Sequence, residues 1–177
     1  NIFVKMDIEG GEVDWIDSLA PEHMDIIGQF VMEFHHPFGE REIKMFEKIN
    51  KTHVLIHFHP NNVAGTRIHN GVYMPNVFEC TYVHKRFFLD GKVELNRDYI
   101  PNDKVDVPNL YMKEEIWMGH PPFVHFEKFH NETCNINVPV FVTKYSYTLL
   151  LFKLCIIKPI IQHINNINIL YCISPSI

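Results

Sequence analysis

The sequence predicts an α/β fold built on a mostly parallel sheet whose last strand runs antiparallel. Three observations lead there. Short, β-prone apolar runs alternate with stretches of helical apolar spacing. The first three runs are separated by segments long enough for the helical crossovers that parallel strands require. The link from the third run to the fourth carries Asn, Gly and Pro rather than a helical pattern, so the fourth strand is free to turn back against its neighbour.

The first run is Ile2-Phe-Val-Lys-Met, ending in the acidic and glycine-bearing Asp7-Ile-Glu-Gly-Gly. A helix is expected from Glu12, with Val13, Trp15, Ile16 and Leu19 at helical spacing as far as Pro21. The second strand is Ile26 to Phe34, closed by His35-His-Pro. Arg41 to Ile49 places Ile43, Phe46 and Ile49 on one face of a second helix. The third strand is His53 to His59, stopped by Pro60-Asn-Asn, and the fourth begins at Val77. Trp15 and Phe46 are assigned to the core.

Beyond Phe88 the pattern fades. Pro101, Pro108, Pro121 and Pro122 punctuate a segment expected to lie extended on a surface. From Thr133 the composition shifts to Ile, Leu, Asn and Tyr, and this stretch is expected not to pack on the sheet. Residues 1–130 are therefore taken as the domain and 131–177 as an unassigned extension. Leu149–Ile161 is strongly apolar, but Lys153, Lys158 and Pro159 interrupt it short of the ~20 residues a membrane span needs.

A chain of 177 residues with 46% hydrophobic residues is long enough to bury a core. Its net charge of −5, with no basic stripe, argues against nucleic acid as partner. The cysteines, Cys80, Cys134, Cys155 and Cys172, form no C-x-x-C pair, so neither a zinc knuckle nor a dithiol redox site is indicated.

Val4-Lys-Met-Asp-Ile-Glu-Gly-Gly-Glu resembles the K-I-D-I-E-G-A-E signature of FkbM-type, S-adenosylmethionine-dependent methyltransferases. Val31-Met-Glu-Phe-His is similar to the next strand of that family, which ends in E-x-H. His57-Phe-His-Pro-Asn-Asn, Pro75-Asn-Val-Phe-Glu-Cys-Thr-Tyr and Val105-Asp-Val-Pro-Asn resemble later blocks of a subset of its members. The resemblance covers roughly residues 1–110. It implies the C-terminal half of a class I, Rossmann-like methyltransferase sheet, with these strands as the fourth to seventh. It also implies methyl transfer from S-adenosylmethionine to an oxygen of a small molecule or glycan.

The cofactor side departs from that pattern. Doubly wound folds hold such cofactors with a glycine-rich turn after the first strand and an acid after the second. The eight glycines, at 10, 11, 28, 39, 65, 71, 91 and 119, contain no G-x-G. The chain by itself is expected not to bind the cofactor.

The candidate site lies at the carboxyl ends of the strands, where open α/β sheets bind ligands. Asp7, Glu9 and His35 are the candidate catalytic residues, because methyl transfer needs an acceptor that is oriented and deprotonated. Asp7, Glu9 and Gly10 are candidates for the cofactor side, Gly10 because it lets backbone approach a ligand. Glu33, Asn61 and Asn62 are candidates for acceptor binding. Each has a simpler reading: Asp7 as a helix N-cap, Glu9 as a first-turn acid, Asn61 and Asn62 as turn formers. His57 and His59 are read as structural, since the family order puts their strand at the sheet edge.

Two competing readings remain at this stage. The Asp, Glu and His at the strand ends have the ligand types for a divalent ion, but no dedicated metal motif such as H-E-x-x-H occurs. No metal is assigned. A non-catalytic remnant or binding module with the same half-fold is the other.

Overall fold

The computed structural model describes residues 2–88 and 92–124, and the strands Cys134–Asn135, Cys155–Ile156 and Asn168–Ile173. Its centre is a five-stranded sheet. The elements in chain order are β1 (Ile2–Asp7), α1 (Glu12–Ser18), α2 (Pro21–Ile26), β2 (Ile27–His35), α3 (Glu40–Thr52), β3 (His53–Pro60), β4 (Thr66–His69), β5 (Val72–Pro75) and β6 (Val77–His84). A 3₁₀ turn at Lys85–Phe87 follows, then β7 (Lys92–Leu95), β8 (Cys134–Asn135), β9 (Cys155–Ile156) and β10 (Asn168–Ile173).

The main sheet runs in the order β10-β1-β2-β6-β3. β1 pairs parallel with β2, and β6 lies antiparallel between β2 and β3. This is an α/β fold with a mixed sheet: β6, the fourth strand expected from the sequence, is reversed, whereas β10, the last strand of the sheet in chain order, runs parallel to β1.

Alternation explains the layering. Along β2, Phe30, Met32 and Phe34 are fully buried, while Gln29, Val31, Glu33 and His35 between them are half-buried. The buried face packs against the apolar side of α3, where Met45, Phe46 and Ile49 are buried. Phe46 meets Phe34 at 4.9 Å between ring centroids. Trp15 lies against the core edge-on to Phe30. The half-buried face, with Glu33 and His35 at its carboxyl end, is the one that carries polar chemistry.

Several expectations are corrected. Pro21 does not merely end α1; it starts α2, because a proline at the first helical position gives up an N–H that has no partner there. The segment before β6, expected as loop, contains the β4–β5 hairpin. Its turn is Asn70-Gly71, both at positive φ (49° and 82°), as a tight hairpin turn requires.

The proline-bearing segment is also more than a surface tail. Ile100, Met118, Phe123 and Val124 enter the core, and the Phe123 ring packs tilted against Phe58 with centroids 4.9 Å apart. Asn62 ties the segment down with three hydrogen bonds: its amide donates to the carbonyls of Leu110 and Lys113 and accepts from the Leu110 N–H.

The largest correction is at the C-terminus. The extension was expected to stay off the sheet, yet β10 pairs parallel with β1 from Ile2↔Asn168 to Asp7↔Ile173. β8 and β9 pair with β7 in a small separate sheet. The rest of Thr133–Ile177 lies outside the described residues, including most of Leu149–Ile161. Among the described residues no helix is long and apolar enough to cross a membrane.

Candidate functional site

His35 ends β2 directly beside the end of β1, and four carboxylates converge on its imidazole. Nδ1 lies 2.8 Å from Glu12 Oε1. Nε2 lies 3.2 Å from Glu9 Oε2 and 4.0 Å from both Asp7 Oδ1 and Glu33 Oε2. The parallel pairing of β1 with β2 produces this convergence, since it puts the carboxyl ends of both strands on the same edge of the sheet.

Glu12, the first residue of α1, is the member that sequence reasoning passed over. Its carboxylate is 3% exposed and accepts from both the Gly10 N–H and His35. It thereby ties the turn to the strand and fixes the Nδ1–H tautomer of a neutral His35, leaving the Nε2 lone pair toward Asp7, Glu9 and Glu33. The available signal was its place as the last residue of the nine-residue acidic block, where it had been read only as the helix start.

The turn itself is tightly bent. Glu9 adopts a left-handed backbone at φ 52° and Gly10 follows at φ 97°. Glu9 therefore does not continue the strand alternation from Asp7; the turn, rather than the pleat, swings its carboxylate onto His35. A non-glycine residue pays for that conformation with roughly 1 kcal/mol of strain, a feature that clusters at functional sites. Asp7 is not a helix cap: Gly11 holds the N-cap position of α1 and no side chain caps it.

Burial pulls the His35 pKa down, but the hydrogen bond that its Nδ1–H donates to Glu12 and the charges of Glu12, Glu33 and Glu9 outweigh it, and the pKa is raised above 6.5. Burial raises the pKa of Glu33, with further pushes from Asp7 and Glu79, against the lowering by Asn61 and His35. The pair is thus set so that His35 holds a proton readily and Glu33 resists losing one.

Asp7 and Glu33 also line a pocket of about 180 Å³ on the open face, together with Lys5, Val31, Glu79 and Asn109. Register explains the grouping, because Glu33 pairs with Glu79 across β2 and β6 and Lys5 pairs with Val31. The pocket is small and mixed in character, with Met6, Val31 and Met32 beside its charged and amide side chains.

The acceptor-binding candidates divide. Glu33 lines the pocket. Asn61 does not reach into it freely: its amide donates to Glu33 Oε1 at 2.6 Å and its oxygen accepts from the Val63 N–H, so it positions Glu33. Asn62 is removed from the site, being fully buried and wholly committed to the 110–113 backbone. His57 and His59 are structural as expected, on the far side of β6. His57 bonds Asp106 at 2.7 Å and His59 lies 3.6 Å from Glu115.

On the cofactor side the fit is poor. Asp7 and Glu9 are exposed acids, and a Cβ on Gly10 would meet open space rather than a cradle. The position flanking β1 is taken by β10, and the sequence that follows it, Ser174-Pro-Ser, carries no glycine. These residues do not build a nucleoside site. For a cation, Asp7, Glu9 and His35 each offer one ligand atom, all within 4.8 Å of one another.

No family model, curated protein or solved structure matches the chain.

Proposed function

We propose that this chain forms the acceptor side of an S-adenosylmethionine-dependent methyltransferase of the FkbM type, acting on a hydroxyl oxygen of a small molecule or glycan. The observation that carries the reading is the convergence of Asp7, Glu9, Glu12 and Glu33 on His35 at the carboxyl ends of two parallel strands. Those residues lie in the two blocks that resemble the family. The sheet order, with a reversed strand next to β2, is the one that resemblance implies for a fourth-to-seventh strand set. The cofactor supplies the methyl group and, on this reading, is held by residues outside the chain.

The geometry supports the following roles. An acceptor held against Asp7 and Glu33, which line the pocket and also face His35, displaces the exposed Glu9 carboxylate from His35 Nε2 and gives its hydroxyl proton to that nitrogen. Glu12 holds the imidazole by Nδ1 and stabilises the imidazolium that results. Glu33, held by Asn61, and Asp7 orient the acceptor. The site's excess of carboxylates favours an acceptor that also carries positive or hydrogen-donating groups.

The test is transfer of a labelled methyl group from S-adenosylmethionine to a panel of hydroxyl acceptors. The enzyme is a polypeptide carrying this chain behind a cofactor-binding half. Asp7→Asn and Glu33→Gln are expected to lower turnover with little effect on folding. Transfer indifferent to both substitutions, or none to any hydroxyl acceptor, overturns the proposal.

A further inference from the structure

The outer edge of β1 is covered by a strand from far along the chain. β10 follows all six residues of β1 in parallel register, and among the described residues β1 is its sole neighbour in the sheet. β9 ends at Ile156, so the covalent link that precedes β10 starts from a paired strand, and β10 itself is bonded to the sheet along one edge only, so that its release breaks a single ladder.

The edge beneath it is not one that water can simply take over. Val4 and Met6 of β1 are fully buried while Lys5 and Asp7 are exposed, so one face of β1 belongs to the core, and without β10 its outer backbone row would be an open edge. The sequence of β10, Asn168-Ile-Leu-Tyr-Cys-Ile, suits that position, and Pro175 lies two residues past its end, where a ladder donor would be lost.

We propose that the outer edge of β1 is a strand-acceptor surface, that Asn168–Ile173 fills it as an exchangeable occupant, and that a second copy's Asn168–Ile173 fits it equally. Identical elements exchanged between copies need no new interface chemistry. While the tether keeps its own strand at high effective concentration, the edge is closed to others; when that strand is released, the edge captures one. The inference stands on backbone pairing alone and is separate from the methyl-transfer reading. On that reading the same edge is the one the first strand of a doubly wound sheet occupies, so β10 and a cofactor half compete for it.

The experiment uses the full chain in three forms: wild type, Leu170→Pro and Tyr171→Pro. Amides of successive strand residues point to opposite sides, so one of the two prolines removes a donor from the β1 ladder while the other faces away and serves as its control. The probe is a labelled synthetic peptide with the sequence of residues 165–177. Hydrogen exchange is read at β1, β2 and β6 in each form.

In wild type, the outward amides of β1 are expected to be protected and the peptide not to bind. In one proline variant, β1 exchange rises at least about tenfold while β2 and β6 keep their protection. That variant binds the peptide saturably, and the peptide restores protection to β1. Rapid exchange of those amides in wild type, peptide binding to wild type, or no binding to the opened variant overturns the proposal. So does loss of β2 and β6 protection along with β1, since β10 would then be an integral part of the core.

Discussion

Replacing Glu12 tests whether one buried carboxylate organises the site. Glu12 accepts from the Gly10 N–H at 3.1 Å and from His35 Nδ1 at 2.8 Å, with its side chain almost wholly out of water. In Glu12→Ala both donors lose their partner. Each loss costs roughly 1–3 kcal/mol, toward the lower end here because both donors are only partly buried and water can reach them. The sum is about 2 kcal/mol, a large share of a stability of order 5–15 kcal/mol. Glu12→Gln keeps an acceptor and removes the charge, so it should cost about half as much.

Urea denaturation reads this as a lower midpoint with unchanged slope. The pH dependence gives the sharper reading. His35 has a folded pKa raised above 6.5, so its protonation contributes stability that is fully present below 6.5 and is lost as pH rises through the folded value. The deficit of Glu12→Gln should therefore be largest at mildly acidic pH and shrink as pH rises through that window. The His35 titration, followed by NMR, should move down in the variant because burial then acts with less opposition. A His35 titration identical in wild type and Glu12→Gln refutes the reasoning.

Other expectations follow from single residues. His53 is buried, with Nε2 3.0 Å from the Ile27 carbonyl, and burial first, then nearby cationic groups, hold its pKa down at about 3. Its ring signals should not titrate from pH 8 to 4, and its contribution to stability, present above 6.5, should fall away as pH drops toward 3; a titration near 6.5 contradicts the burial. Asn62→Ala should destabilise by about 2–4 kcal/mol through three lost bonds to the 110–113 backbone. A substitution that leaves the melting temperature unchanged would return Asn62 to the list of acceptor contacts. Glu9→Gly relieves the left-handed backbone and should raise stability by about 0.5 kcal/mol, and because it removes the carboxylate that the acceptor displaces from His35 Nε2 it should not lower methyl transfer; a fall in transfer would give Glu9 a part in holding the acceptor.

Much of the sheet was legible because alternation and turn residues are local signals. β1, β2, β3 and β6 fall within a residue or two of the apolar runs that predict them, and the missing helix before β6 marks its reversal. The site was legible to the extent that it sits at strand ends: Asp7, Glu33 and His35 follow from β1 and β2 being parallel neighbours. Glu9 reached the site for a different reason than the alternation suggested, because a turn at positive φ overrides the pleat. Glu12 and Asn62 were misjudged because burial decides their roles, and the burial of a polar side chain depends on partners 23 to 51 residues away. The Asn70-Gly71 turn was a visible hairpin signal that the short flanking strands obscured. The pairing of β10 with β1 joins residues at opposite ends of the chain, which no local pattern encodes.

The central claim is that His35, held by Glu12 among four carboxylates, takes the proton from an acceptor hydroxyl during methyl transfer. The most direct measurement is the pH dependence of kcat/KM for methyl transfer by the polypeptide carrying this chain with a cofactor-binding half, wild type beside His35→Asn. The account predicts a wild-type rate that rises with pH through a single ionisation above 6.5, the free histidine value, and that shifts to lower pH in Glu12→Gln. His35→Asn should lose that ionisation and on the order of 10²–10⁴ in rate. A wild-type profile with no such ionisation, or a His35→Asn enzyme with the wild-type profile, would contradict it.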